Sequence, residues 1–366
     1  MNTIDRRTLL TGAAVISALG TDRAWARKPL RESAAPAGPI RLSGNENPYG
    51  PGPKARAAIA ANMNEACRYG FRPHAALIDK LAQREQVAKE NLVLGAGSGE
   101  LLHMLALVFA ERREVVCAWP TFAQLMSYAE KLGAEIRKIP LDAELRHDLA
   151  ALDAATTPNT ALLYVCNPNN PTGTALPGPT LREFCRAAAQ RTLVVVDEAY
   201  LELADDGATE SMVDLVRDGA NVVVLRTFSK LHGLAGLRVG YAIARADVIA
   251  RLRRLQMTSV GTLGLLAASA SLDDTEFLAT TRKALLDDRR RLTALCSELG
   301  VRCANAQGNF VFVNVRMPAT EFAKKMLAEG IEVARPFEPL VDWSRISIGT
   351  RVENERLFGA LRTVLG

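Results

Sequence analysis

The sequence predicts an α/β protein, with a mostly parallel sheet in a large domain and a smaller α+β domain at the C-terminus. Two observations carry the large domain. Short β-branched or apolar runs at 91–94, 115–118, 161–166, 193–196 and 222–224 alternate with helical stretches through residue 245. That alternation builds parallel sheets covered by helices. The runs end in polar or glycine-rich turns, which is where an open α/β sheet gathers its ligand residues. A third observation marks off the smaller unit. From about residue 300 the chain reads strand, strand, helix, strand and a closing helix, a mixed order that suits a separate α+β layer.

Taken in order, residues 27–39 form a Pro/Ala-rich arm, and 42–51 (LSGNENPYGP) is a polar segment rich in turn formers. Helical sequence covers 53–64 and, after the break at Arg68-Tyr69-Gly70, 75–86. The strand at 91–94 enters Gly95-Ala96-Gly97-Ser98-Gly99, and a helical run follows over 101–110. Glycines there let backbone N–H groups approach an anion, and the helix N-terminus adds a favourable dipole. A plain strand-to-helix turn reads the same way, and Glu100 breaks the G-x-G-x-x-G spacing of a dinucleotide site.

The strand at 115–118 ends in Trp119-Pro120-Thr121-Phe122, where Phe122 either stacks on a planar ring or fills core. A helix at 123–132, a strand at 135–139 and a helix at 146–155 lead to the strand at 161–166. That strand ends in Asn167-Pro168-Asn169-Asn170-Pro171-Thr172-Gly173, a rigid turn that presents an amide at a fixed point. A helix over 180–190 precedes the apolar strand 193–196, which closes on Asp197-Glu198-Ala199-Tyr200. Buried, such an Asp requires a cationic partner, and a protonated pyridine nitrogen would serve; exposed, it caps the next turn. Residues 246–255 and 265–298 read as helical.

Between them lies the most informative stretch, residues 221–241 (NVVVLRTFSKLHGLAGLRVGY). Lys230 sits just past the carboxyl end of a doubly buried strand, placed for imine chemistry on a carbonyl. Desolvation and cationic neighbours favour that chemistry by lowering a lysine's pKa. Thr227, Ser229 and Arg238 beside it suit a bound phosphate. A solvated lysine is the commoner fate of such a residue, so the rest of the chain decides.

With 48% hydrophobic and 23% charged residues the chain has a globular composition. The net charge is only +5, with no basic run interleaved with aromatics, so nucleic-acid binding has no support. Arg6-Arg7, an apolar segment at 9–19 and Ala24-Trp25-Ala26 are the parts of a twin-arginine export signal, which predicts a periplasmic protein cleaved after Ala26. The apolar segment is too short for a stable membrane anchor. Six scattered cysteines show neither C-x-x-C nor paired histidine spacing, so neither a metal site nor a disulfide framework is expected. An oxidising compartment would still permit a bridge.

A glycine turn, an aromatic, an Asn turn, an Asp, and a Lys with hydroxyl and Arg neighbours thus line one sheet edge. Pyridoxal 5'-phosphate needs that set: an imine-forming lysine, a carboxylate that keeps the pyridine nitrogen protonated, and phosphate donors. The motifs CNPNNPTG at 166–173, VVVDEAY at 194–200, RTFSK at 226–230 with AGLRVGY at 235–241, and RISIGT at 345–350 resemble those of class I/II aminotransferases. Within them the chain looks most like the histidinol-phosphate aminotransferase group, over residues 40–366. The resemblance implies the aspartate aminotransferase fold, with a seven-stranded sheet. With the signal (1–26) and arm (27–50) read from the residues themselves, the chain divides further into a large cofactor-binding domain (51–255) and a small domain (256–366).

By the same resemblance, Lys230 forms the aldimine with the cofactor and then, as a free amine, shuttles the substrate α-proton to the cofactor. Asp197 pairs with the pyridinium nitrogen, Tyr200 and Asn170 bond the ring's phenolate oxygen, and Phe122 stacks on the ring where relatives often have Tyr. Ala96, Gly97, Ser98, Ser229 and Arg238 hold the phosphate, with help from Thr227. Tyr69 reaches the phosphate of a neighbouring subunit, which implies a homodimer with shared active sites. Arg345 grips the substrate α-carboxylate, with Asn170 beside it, and Arg335 faces the rest of the substrate.

Two departures bear on the donor. Residues 256–262 read QMTSVGT where the group has a Pro-aromatic-Asn stretch, and an export signal is unusual for a biosynthetic step. The expected reaction is transfer of an amino group from an L-amino acid or a histidinol phosphate-like donor to 2-oxoglutarate. Aromatic or other amino acids are alternative donors, and a lyase or racemase on the same scaffold is an alternative chemistry. Arg345 argues against decarboxylation, because a clamped carboxylate is not poised to leave. A non-catalytic cofactor-binding protein is the third reading, and the intact Lys230, Asp197 and Arg345 speak against it.

Overall fold

The computed structural model describes residues 38–366. The signal segment and the first part of the arm lie outside the described residues. The chain begins with β1 (Ile40–Arg41), α1 (Pro53–Ala61) and α2 (Phe71–Glu85). It continues through β2 (Leu92–Ala96), α3 (Gly97–Leu105), β3 (Glu114–Trp119), α4 (Gln124–Lys131) and β4 (Glu135–Pro140). Then come α5 (Leu149–Ala155), β5 (Thr160–Cys166), α6 (Gly178–Ala188), β6 (Leu193–Asp197), α7 (Val213–Arg217) and β7 (Val222–Thr227). β8 (Val239–Ile243), α8 (Ala246–Arg254), α9 (Thr262–Leu272) and α10 (Thr275–Glu298) follow. The chain closes with β9 (Phe310–Asn314), α11 (Ala319–Ala328), β10 (Ile331–Glu332), β11 (Trp343–Ser347) and α12 (Arg351–Leu365).

Seven strands form the central sheet in the order β2-β8-β7-β6-β5-β3-β4. β8 runs antiparallel to both of its neighbours, and the other pairings are parallel. β5 and β6 are buried at every residue, as near-continuous apolar runs between two helix layers should be. The two faces follow the strand period of two. Leu163, Val165, Val194, Val196, Val222 and Val224 enter one core, while Leu162, Tyr164, Val195, Val223 and Leu225 enter the other. The reversed β8 matters for function. It brings its amino end, which follows Arg238, to the edge where β5, β6 and β7 end.

Three regions differ from the sequence reading. The single helical stretch at 265–298 is two helices, parted at Asp273 and Asp274. α9 packs on α1 and α2, and its Leu265, Ala267, Ala268 and Leu272 join the large-domain core with Leu77 and Leu81. Residues 262–272 therefore sit with the large unit, although the sequence groups 256–366 together. Small side chains permit this close seat: at Gly264 a Cβ would lie 2.9 Å from the Leu237 carbonyl oxygen.

In the arm, where no regular structure was expected, β1 pairs in parallel with β10. Ile40, Leu42 and Tyr49 enter the small-domain core with Phe310, Val311, Phe322 and Leu357. Of the two strands expected before α11, one is β9, and the other is a single bridge between Cys303 and Val313. α12 starts with a reciprocal capping box between Thr350 and Glu353. Among the described residues no helix is long and apolar enough to cross a membrane.

Candidate active site

The ends of β5, β6 and β7 and the start of β8 open onto a cavity of about 390 Å³. Asp197, the last residue of β6, is 1% exposed. Its carboxylate accepts the Tyr164 hydroxyl at 3.0 Å and the Ala199 N–H at 3.1 Å. Burial pushes its pKa up, against the hydrogen bonds from Tyr164 and Ala199 and the charge of Lys230. Its partners in the chain are thus neutral groups, while its neighbour Glu198 has a full ion pair.

That contrast follows from strand alternation. Glu198 and Arg226 point away from the cavity, and the Arg226 Nε donates to the Glu198 carboxylate at 2.8 Å. Ser211 and the Met212 N–H complete the Glu198 shell.

β7 delivers Lys230 through a short anchored loop. Phe228 is buried, its N–H donates to the Val239 carbonyl, and the Gly233 N–H closes the turn on the Lys230 carbonyl. Gly233 has φ +71°, and a Cβ there would strike the Gly50 oxygen at 2.2 Å, so the arm lies directly on this loop. The arm in turn supplies Asn45. Lys230 Nζ donates to the Asn45 carbonyl at 3.0 Å and stands 5.1 Å from the Tyr200 ring centroid. The Tyr200 hydroxyl accepts the side-chain amides of Asn45 at 3.0 Å and Asn170 at 3.3 Å. Two N–H donors fix that oxygen in place for hydrogen bonding.

Ser98, Thr227, Ser229 and Arg238 line the adjoining wall. Thr227 Oγ1 donates to Ser229 Oγ at 2.9 Å, and Arg238 reaches the same oxygen at 3.5 Å. Gly97 has φ +73°, and a Cβ there would lie 2.3 Å from the Arg238 guanidinium. Glycine is required for that approach. Ala96 stands at the edge of this wall, with both backbone groups engaged. Its N–H is taken by the Glu100 carboxylate at 2.6 Å, and its carbonyl accepts from Arg238 at 3.3 Å. Ala96 thus frames the cradle beside Gly97 and Ser98.

Phe122, Gln124 and Asn170 join this cavity to a second of about 770 Å³, which reaches Arg345 and Arg335. Arg345, on β11, donates to the Asn170 side-chain oxygen at 2.7 Å and to the Ser43 carbonyl at 2.8 Å. Its Nε is buried without a partner. Burial lowers its pKa, and Arg335 adds repulsion. Arg335 lies 5.2 Å from the Phe337 ring centroid and Arg345 5.1 Å from it, so two guanidiniums flank one aromatic ring. Tyr69 is the residue this chain does not bring in: it is 84% exposed, beside Phe71, outside the cavity of its own chain.

Two contributors escaped the sequence reading. Asn45 sits in a segment with no strand or helix pattern to orient it. Tyr164 reads as core, yet it lies on the face of β5 shared with Cys166, which pairs with Asp197 in register. A tyrosine two residues before the end of that strand reaches Asp197 diagonally, and that spacing was the available signal.

The assembled groups suit a flat molecule with a cationic ring atom, an acidic ring oxygen and an anionic tail, next to a carboxylate-bearing substrate. Comparison with known proteins agrees. The family "Aminotransferase class I and II" matches residues 37–361. The histidinol-phosphate aminotransferase of Moorella thermoacetica is 37% identical over 330 residues, covering 89% of this chain and 85% of that protein. An aromatic amino acid aminotransferase of Mycobacteroides abscessus is 38% identical over 320 residues, covering 87% and 91%. The solved histidinol-phosphate aminotransferase from Sinorhizobium meliloti, in complex with pyridoxal-5'-phosphate, superimposes with a TM-score of 0.84 at 27% identity, covering 90% of this chain and 91% of that one. With a match of this extent laid over a cavity of this chemistry, the chain belongs to the class I and II aminotransferases and is a transaminase.

Proposed function

We propose that this transaminase uses pyridoxal 5'-phosphate to move an amino group from an L-amino acid, or a histidinol phosphate-like donor, to 2-oxoglutarate. One observation carries the cofactor reading: a fully buried Asp197 with neutral partners faces a cavity that also holds Lys230, Tyr200 and an Arg–Ser cradle. A buried carboxylate in that position is completed by a cation, and the protonated ring nitrogen supplies one. Ser98, Ser229 and Arg238 hold the phosphate with Thr227 behind them, Phe122 covers the ring, and Tyr200 with Asn170 bonds the ring oxygen.

Pyridoxal phosphate supplies an aldehyde that condenses with amines and a ring that accepts the electron pair of a broken Cα–H bond. The chain's own residues do the rest. Lys230 Nζ takes the proton from the donor's Cα, a contribution of about 10²–10⁴-fold for a positioned base. Asp197 keeps the ring nitrogen protonated. Arg345 exchanges its bonds to Asn170 and Ser43 for the donor's α-carboxylate, and Arg335 faces the donor's distal group.

A second donor class is favoured by Phe337, which offers an aromatic face between the two arginines. The family contains both kinds of enzyme among the relatives named above. We further propose a homodimer in which Tyr69 and Phe71, 84% and 78% exposed, are covered by a second copy. Export along the twin-arginine route is proposed from Arg6-Arg7.

The test is a visible spectrum of the purified protein with added cofactor. A donor that removes the band of the bound cofactor, with 2-oxoglutarate restoring it, establishes the transfer and names the donor. Lys230→Ala should bind pyridoxal phosphate without that amine-dependent band and lose turnover by on the order of 10⁴-fold. A retained band in that variant would defeat the assignment of Lys230.

A further inference from the structure

We propose that Asn45 and Ser347 are positioning residues that aim the Tyr200 hydroxyl hydrogen at the ring oxygen of the cofactor. This rests on pyridoxal phosphate being the cofactor. Tyr200 is 3% exposed, and its ring meets Phe310 edge-on with centroids 5.2 Å apart, so only the O–H bond is free to turn. The oxygen accepts the Asn45 amide at 3.0 Å and the Asn170 amide at 3.3 Å. A tyrosine hydroxyl has a single hydrogen to give. With its accepting side filled from within the chain, that hydrogen is left for the cavity that Tyr200 lines.

Each amide is held the right way round by a donor on β11. Arg345 donates to the Asn170 side-chain oxygen at 2.7 Å. A guanidinium cannot accept, so the Asn170 nitrogen faces Tyr200. Ser347 acts in the same way on Asn45: its Oγ donates to Asn45 Oδ1 at 2.7 Å, which leaves Nδ2 for Tyr200. Residues 345 and 347 share one face of the strand, while Ile346 enters the small-domain core. Asn45 and Ser347 are both buried. A reversed Asn45 amide would present its oxygen to Tyr200 and draw the hydroxyl hydrogen away from the cavity. The arm is also fixed on both sides of Asn45. The Leu42 carbonyl accepts the Ser347 N–H at 3.0 Å, the Glu46 carbonyl accepts the Asn309 amide at 2.8 Å, and the Asn47 amide donates to the Leu231 carbonyl at 2.7 Å.

The chemical consequence follows from charge. Two N–H groups bonded to the Tyr200 oxygen polarise its O–H and make it a stronger donor. A strong hydrogen bond to the ring oxygen stabilises negative charge there. The neighbouring nitrogen, where Lys230 joins the cofactor, then holds its proton less tightly. The charged groups around Tyr200 are Lys230, 5.1 Å from its ring centroid, Arg345 behind Asn170, and Asp197 and Glu46 on the cavity wall, Glu46 being paired with Arg41. Substituting Asn45 or Ser347 changes none of these charges, and Asn45→Ala keeps the backbone carbonyl that Lys230 meets.

The test is a pH titration of the visible band of the cofactor-loaded enzyme, read without substrate. Asn45→Ala should raise the midpoint by about half a unit to one unit, the size expected for one lost hydrogen bond. Ser347→Ala should raise it by less. The double variant should match Asn45→Ala alone, because Ser347 acts through Asn45. In a Tyr200→Phe background, Asn45→Ala should move the midpoint no further. Residues that merely support the fold would lower the melting temperature and leave the midpoint in place. A wild-type midpoint in either single variant, or an undiminished shift in the Tyr200→Phe background, overturns the proposal. Ser347→Ala removes one oxygen atom and decides the matter even if Asn45→Ala does not fold. A wild-type chain with no visible band in added pyridoxal phosphate would sink the cofactor assignment and this proposal together, whereas a band with an unmoved midpoint sinks this proposal alone.

Discussion

Asp197 and Glu198 are adjacent, both buried carboxylates, and burial pushes both upward in pKa. They face opposite sides of one strand end and meet opposite fates. Glu198 has Arg226 at 2.8 Å, a serine hydroxyl and a backbone N–H. Asp197 has a tyrosine hydroxyl and a backbone N–H, with no guanidinium against it. The lesson concerns where a protein completes its charges. On the structural side the chain supplies the counter-ion itself, and on the functional side it leaves that role to a ligand. The same division separates Arg226, which is ion-paired, from Arg345, whose partners are an amide and a carbonyl that a substrate carboxylate can replace.

The sharpest way to test that comparison is Asp197→Asn. It should lower kcat/KM by on the order of 10³-fold, about 4 kcal/mol of transition-state stabilisation, and weaken pyridoxal phosphate retention on gel filtration. Arg226→Met acts on the other face and should cost about 3–5 kcal/mol of stability in a denaturant titration, because it strands a buried Glu198. Adding Glu198→Gln should return part of that loss, and the surviving folded enzyme should keep the wild-type donor preference. If the single variant is as stable as wild type, the pair does not have the structural role argued above.

A smaller effect runs in the opposite direction. In the cofactor-free chain, Asp197→Asn should raise stability by roughly 1–2 kcal/mol, since it removes a buried carboxylate whose hydrogen-bond partners are neutral and which the charge of Lys230 only partly offsets. The pH dependence fixes the sign. A carboxyl whose folded pKa lies above its ordinary value contributes stability that is full below that ordinary value and is lost as pH rises through the folded value. The gain from Asp197→Asn should therefore appear at neutral pH and fade in acid.

Glu202 gives the smallest effect and the reverse slope. Burial raises its pKa, but His232, Arg226 and Arg84 outweigh that and bring it to about 2. Its stabilisation is present above its ordinary value of 4.5 and lost as pH falls toward about 2. Glu202→Gln should flatten the acid limb of the stability curve, by about 1 kcal/mol for a half-buried carboxylate.

Much of this was legible before any coordinates. Apolar runs of strand length ending in Asn170, Asp197 and Lys230 announce a parallel sheet with a ligand edge, because strand period and turn chemistry are local properties. The class of the catalyst is legible for the same reason. What stayed hidden depended on contacts between distant segments. Asn45 carries no local signal, and it meets Tyr200 and Lys230 only because the arm packs on the Gly233 loop. The glycine turn gave no sign that Glu100 would bond the Ala96 N–H. α9 looked like part of the small domain because a small-residue helix does not announce which core it will join.

By itself, then, the sequence determined the element order, the buried strands, the reactive residue types at their ends and the family they signal. The tertiary structure alone decided which of those groups face the same cavity, and which carboxylate is paired and which is left for a ligand. The physical reason is one of range. Propensity and periodicity act over a few residues, whereas ion pairing and burial depend on segments that only packing brings together.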